Sequence, residues 1–342
     1  MNINNETELD DLLSTPTPAA VDAVRQLDGD LAIMGISGKI GISLGRMAVR
    51  AVRQAGVTKK VYGVARFSEP GSKEKLAELG VEPLVCDLLD RHAVAQLPKV
   101  NNVIFMAGRK FGTAGGGEAL TWVMNTLAAA NVAEHYQGSR MVVFSTGCVY
   151  PLVTAASGGC PETTRPAPVG EYAQSCLGRE RIFEYYAQYR QTPTLLVRLN
   201  YAVDLRYGVL FDIADRIRCG QPVVNAVGNF NAIWQGDVND WILRSFPACQ
   251  TPAAVLNFTG PEITSVSYAA ETMGQWLDKP VTYTQPEPGS TGYLSNAARA
   301  MERFGYPRVG MGELLRLQAE WLRQGGRTLN KPTHFEVNNG KF

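Results

Sequence analysis

Gly35, Gly38 and Gly41 stand three residues apart in a G-x-x-G-x-x-G run that also holds Lys39 and Ile40. The run follows a short apolar segment and opens a helix-like one. Glycine is needed there for backbone reasons: the turn is tight, the main chain must come close to a pyrophosphate, and the helix must pack near the strand. Unpaired N–H groups at the helix start then bind the anion. A glycine run alone is weak evidence, but its place after the first strand of a βαβ unit is the context a dinucleotide loop requires. The next strand-like segment ends Val64, Ala65, Arg66, Phe67, Ser68. An acidic residue at that strand end would accept a hydrogen bond from the ribose 2′-hydroxyl, whereas a cation and a hydroxyl suit a 2′-phosphate. This pattern predicts NADP in preference to NAD, with Arg66 on the phosphate.

Positioning such a loop takes a sheet. Short apolar segments over residues 30–34, 60–65, 82–86, 103–106, 140–145 and 194–198 alternate with helix-like stretches over 44–55, 73–79, 119–136 and 175–189. Continuous apolar strands separated by helices are what a parallel sheet covered on both faces requires. The expected fold class is therefore α/β: a doubly wound parallel sheet of Rossmann type with a second, smaller α/β substrate domain. After residue 199 the alternation breaks down and Pro- and Gly-rich connections multiply. We divide the chain into an N-terminal appendage (1–29), a dinucleotide-binding domain (30–199, with returns at about 236–260), a substrate domain (200–330) and a C-terminal tail (331–342).

Composition narrows the partners. The 342 residues carry 33 Lys and Arg against 32 Asp and Glu, a net charge of +1. No bulk field draws polyanions, so neither nucleic acid nor an anionic membrane surface is expected as a partner. Six cysteines without a C-x-x-C pair and three scattered histidines give neither a disulfide framework nor a metal site. The acidic residues 1–13 lack the apolar core of a secretory signal. No stretch approaches the ~18 apolar residues of a membrane span. A soluble, cytoplasmic protein is expected.

Further signals fall in a fixed order. Asp87 and Leu88 follow the third strand, and Met106, Ala107 and Gly108 end the fourth. Asn125 lies in the next helix, Ser145 and Thr146 end the fifth strand, and Tyr172 comes after them. With the glycine run, this order resembles the extended short-chain dehydrogenase/reductase superfamily, the group of NAD(P)-dependent sugar epimerases and dehydratases, over roughly residues 30–325. The resemblance implies that Asp87 and Leu88 contact adenine and that residues 106–108 lie along the nucleotide. It implies that Lys110, Asn125, Ser145 and Asn200 belong to the cofactor site, and that Thr146 and Tyr172 are the catalytic pair. It also implies a homodimer through the helices at about 119–136 and 175–190. Read from the residues alone, Lys110 in its glycine-rich loop is equally a solvated lysine, and Asn125 equally a tie between strand and helix. Arg206 and Tyr207 suit either an acidic or hydroxylated substrate or a domain-closing contact.

One position departs from the family. Its tyrosine is followed four residues later by lysine, one helical turn on and facing the same site; here that position is Cys176. In the family that lysine stabilises the tyrosinate and binds the nicotinamide ribose, and a neutral thiol does neither. A tyrosine near its ordinary pKa of ~10 is only about 0.1% ionised at pH 7, and bringing it to ~7 takes about 4 kcal/mol. Three explanations compete. The oxidised nicotinamide and Lys110 together supply the charge, or Tyr172 acts only as a neutral donor to a substrate carbonyl, or the protein binds nucleotide without catalysis. A nucleophilic Cys176 is the weakest idea, because a thiol inside a helix usually behaves as a small buried apolar residue. The resulting expectation is an NAD(P)-dependent oxidoreductase or epimerase acting on a hydroxyl-bearing carbon of a sugar or sugar acid. The alternative is a catalytically impaired nucleotide-binding sensor or scaffold.

Overall fold

The computed structural model describes the whole chain except residues 1, 111, 113–115, 332, 338, 341 and 342. Seven strands form one sheet: β1 (Leu31–Met34), β2 (Val61–Ala65), β3 (Glu82–Val85), β4 (Asn102–Phe105), β5 (Arg140–Thr146), β6 (Thr194–Leu199) and β7 (Ala254–Phe258). Their spatial order is β7-β6-β5-β4-β1-β2-β3, with every pairing parallel. The order reverses beside β1, and this switch point is where an open α/β sheet forms its ligand crevice.

Alternation along each strand feeds two cores. Leu31 and Ile33 of β1 enter one, with Val142 and Phe144 of β5. Ala32 and Met34 enter the other, with Met141 and Val143. The first face is covered by α2 (Pro18–Gln26), α3 (Gly41–Ala55) and α9 (Gln235–Leu243). The second is covered by α5 (Arg91–Ala95), α6 (Glu118–His135) and α7 (Gly170–Arg190). α4 (Ser72–Glu78) bridges β2 and β3 at the sheet edge. The expected doubly wound sheet is present, and β7 extends it by one strand.

A second body of helices packs beyond β6. α8 (Val209–Arg218), α10 (Val266–Leu277) and α12 (Met311–Arg323) share a third core with the strand pair at Ala202–Val203 and Ile233–Trp234. The short α11 (Ala298–Phe304) lies against β7. Among the described residues no helix is long and apolar enough to cross a membrane.

Both chain ends differ from the expected appendage and tail. α1 (Glu6–Leu13) buries Leu9 and Leu13 completely, and Ile3 joins the same core. Asn5 caps it by accepting from the Glu8 amide, and Asp11 pairs with Arg46 and Arg50 of α3. At the other end Thr333 and Phe335 are buried. Apolar burial fixes these segments, at roughly 1.5–3 kcal/mol for each large side chain.

Candidate active site

The cleft runs along the carboxyl ends of the strands as two hollows that share Gly38, Met106 and Gly108. The first encloses about 220 Å³, and Gly35, Arg66, Asp87, Leu88 and Ala107 line it. A side chain would fill this cradle: a Cβ on Gly35 would lie 2.7 Å from the Ala107 Cα, and one on Gly41 2.1 Å from the Ile36 carbonyl oxygen. Gly35 also has a φ of +89°, which glycine adopts at no steric cost. α3 starts with no side-chain cap, so no side chain competes for its first amides. A dinucleotide pyrophosphate fits this main-chain cradle. Arg66 is exposed at the outer rim beside Asp87, where a cation can reach an added phosphate without being buried.

The second hollow encloses about 350 Å³, and Lys39, Ile40, Lys110, Ser145, Thr146, Tyr172, Asn200, Tyr201, Tyr207 and Thr333 line it. Thr146 ends β5, and its Oγ1 accepts the Cys148 amide at 3.2 Å. Tyr172 sits in the first turn of α7 and lines the same hollow as Thr146. Burial pushes the Tyr172 phenol well above its ordinary range, with Cys176 and Cys148 adding to the rise and Arg179 and Thr146 opposing it. Cys176 is 1% exposed, and burial pushes its thiol up as well. The position that the family gives to lysine is therefore neutral.

Two cations reach the same space from other elements. Lys110 follows β4, and its Nζ lies 6.0 Å from the Tyr172 ring centroid. Burial lowers its pKa. Lys39, from the glycine run, places its Nζ 3.1 Å over the Tyr207 ring. Burial, together with Lys110 and Lys331, brings Lys39 down to about 7. Tyr201 is held at a φ of +40°, an uncommon conformation for a bulky residue and one that concentrates at functional sites.

Three residues expected in the site stand behind it. Gly41 shapes the loop from beneath, and Cys176 is buried inside α7. Asn125 is fully buried: its Oδ1 accepts the Arg109 amide at 2.8 Å and the Arg179 Nη2 at 2.7 Å, while its Nδ2 donates to Ser175. It braces the loop that carries Lys110, which is the tie between strand and helix. Arg206 resolves as a contact between chain segments, paired with Asp204 and with Asp10 of α1, while Tyr207 lines the cleft.

Beneath the site lies an ion pair that the motif reading did not single out. Arg198 on β6 and Glu180 on α7 are 4% and 0% exposed, 2.7 Å apart. Glu180 also accepts from Ser145, and Arg198 donates to Tyr150. The two charges hold α7 against β5 and β6. Ser145 therefore serves this floor while lining the cleft.

Against known proteins, the model of the NAD dependent epimerase/dehydratase family matches residues 31–206. Among solved structures, a UDP-glucose 4-epimerase from Thermotoga maritima with UDP-glucose is 19% identical, with a TM-score of 0.70 over 86% of this chain and 99% of that one. A UDP-glucuronic acid 4-epimerase from Bacillus cereus, with UDP-glucuronic acid and NAD, is 16% identical, with a TM-score of 0.68 over 86% and 99%. A dTDP-glucose 4,6-dehydratase from Bacillus anthracis, in complex with NAD, is 16% identical, with a TM-score of 0.69 over 87% and 97%. At these identities the likeness is one of fold. No curated protein sequence matches the chain.

Proposed function

Because the chain belongs to the NAD dependent epimerase/dehydratase family, we propose that it is an NAD(P)-dependent oxidoreductase or epimerase acting on a hydroxyl-bearing carbon of a sugar or sugar acid. The observation that carries this reading is that Thr146 and Tyr172 line one hollow, which shares walls with the nucleotide cradle. When bound, the nicotinamide supplies a hydride acceptor or donor. Thr146 holds the substrate oxygen and Tyr172 exchanges its proton. Burial keeps the Tyr172 phenol protonated at neutral pH. With no lysine at position 176, the Lys110 ammonium, 6.0 Å from the Tyr172 ring centroid, and the Arg179 guanidinium, which opposes the rise of the phenol, are the cations at hand. Arg66, at the rim of the adenine end, supports NADP over NAD.

Mass spectrometry of the nucleotide released on denaturing fresh protein tests the cofactor directly. Retained NADP at one per chain is expected, and NAD in its place removes the Arg66 argument. For the chemistry, a panel of nucleotide sugars and free sugar acids is screened for nicotinamide absorbance changes. Tyr172→Phe should lower the resulting turnover by about 10²–10⁴-fold, the usual worth of a positioned acid or base, with nucleotide binding intact. Full activity in that variant would sink the mechanism.

Cys176 favours a second reading, a nucleotide-binding sensor without catalysis. Cys176→Lys separates the two: it creates activity in an impaired protein and leaves activity equal or lower in an enzyme adapted to the thiol. For the homodimer, support comes from Leu120, Val123 and Leu127 on α6 and Tyr185 and Tyr189 on α7, all exposed at 38–63%.

A further inference from the structure

We propose that the segment around Thr333 is a working part of the active site, with Thr333, clamped by Asp212, acting as a positioning residue that holds the Lys110 ammonium beside Tyr172. The inference rests on the reading above, in which Tyr172 exchanges a proton.

The path of the segment carries the argument. After α12 the chain returns to the cleft, where the Leu329 amide donates to the Arg206 carbonyl at 3.0 Å. The Thr333 amide donates to Asp212 Oδ2 at 2.8 Å, and the Thr333 hydroxyl donates to the same oxygen. Asp212 lies in the first turn of α8, so the clamp ties the segment to the substrate-side body. Phe335 is buried in that body's core, and its amide donates to Thr333 Oγ1 at 3.2 Å. Further on, the main chain reaches the start of α7. A Cβ on Gly170, two residues before Tyr172, would lie 2.3 Å from the Gly340 carbonyl oxygen. The segment thus spans from α8 to the helix end that carries the phenol.

Lys110 sits under this span, and its Nζ donates to the Thr333 carbonyl at 3.2 Å. A buried ammonium is costly unless it is paired or hydrogen-bonded. A lysine on a flexible four-carbon stem otherwise extends its head toward water. Thr333 is 3% exposed and supplies the oxygen that makes the inward position tenable. The Asp212 carboxylate behind it adds attraction for the ammonium. In a chain with a thiol at position 176, the cation beside the phenol is held by a residue 223 positions away.

The test is carbon NMR of the full-length protein with 13C-labelled tyrosine ring carbon (Cζ), followed across pH. The Tyr172 resonance is assigned by its disappearance in Tyr172→Phe. As Lys110 loses its proton, the Tyr172 resonance is expected to step, and Lys110→Met to abolish the step. That control separates Lys110 from Cys148, Asp212, Cys176 and Glu336, and Lys39→Met separates it from Lys39, the further cation that senses its ammonium. Thr333→Val, which removes the hydroxyl of the clamp, is expected to shrink the step and move its midpoint up toward the ordinary lysine value of about 10.4. Thr333→Ser should restore it. The proposal is overturned by a step of unchanged size and midpoint in Thr333→Val, or by the absence of any step that Lys110→Met removes. Nucleotide content is measured on the same samples, so an empty protein counts against the cofactor reading while the titration still judges the clamp.

Discussion

At the adenine end of the cleft main chain shapes much of the wall: glycines at 35 and 38 with Gly41 beneath them, the uncapped start of α3, and the strand end at Ala107 and Gly108, beside the side chains of Arg66, Asp87 and Leu88. At the reacting end the wall is side chains, and they come from β5, α7, the loop after β4, the approach to α8 and the segment near residue 333. The first end depends on what a backbone can do where Cβ is absent, and its glycine run is compact in sequence. The second depends on which side chains the fold brings together, and its parts are scattered along the chain. A cation required near a phenol can then be delivered from any element that reaches it. This is how a helix with a thiol at position 176 remains compatible with a charged site.

Gly41→Ala gives the largest expected effect on the main-chain end. The new Cβ meets the Ile36 carbonyl oxygen at 2.1 Å, and the backbone must shift. Overpacking of this kind costs about 1–3 kcal/mol or more, so nucleotide affinity by calorimetry and thermal stability should both fall. A variant that binds nucleotide as tightly as the parent would mean the loop is only a turn. The strand pattern around this loop was readable because β1, β2, β4, β5 and β6 are buried on both faces and each carries a continuous apolar stretch, with polar residues mainly at the strand ends. The seventh strand was less visible, since Ala254–Phe258 lies among turns and carries Asn257. At the chain ends a short amphipathic helix was legible over residues 19–27, where α2 lies, but the packing of α1 and of the C-terminal segment was not. Residues 331–340 show no apolar period, and α1 offers only Leu9, Leu12 and Leu13 among acidic residues, a signal two turns long.

Arg66→Ala should reduce affinity for NADPH by about 10- to 100-fold, the worth of roughly 1.5–3 kcal/mol for a charged hydrogen bond, and leave NADH affinity unchanged. Equal losses for the two nucleotides would make Arg66 a general contributor to the rim and not a reader of the phosphate. This residue was legible because it sits at a fixed place, the end of the second strand. Tyr207 was a candidate with two open roles, and Asp212 had no marker. They lie in the turn before α8 and in the first turn of that helix, where local sequence carries no information about which distant residue they meet.

The smallest effect belongs to pH. Lys39 has its pKa lowered to about 7 in the folded protein, against about 10.4 in the unfolded chain. Between those values the unfolded state binds more protons, so stability rises with pH across that window, while below 7 the full cost of the buried charge remains and no longer changes with pH. Thermal midpoints at pH 6.5 and pH 9 should therefore differ by less in Lys39→Met than in the parent. An identical difference in both proteins would place the Lys39 charge in water.

Lys110 and Thr333 are separated by 223 positions, and that separation has a consequence for the order in which the protein becomes competent. The loop between them closes against chain entropy, and contacts this distant in sequence form late in folding. The nucleotide cradle, lined by residues from Gly35 to Ala128, closes over a much shorter span. During refolding, nucleotide capture should therefore return before the environment of Tyr172 does, leaving an interval in which the molecule holds its cofactor but has yet to place a cation beside its phenol.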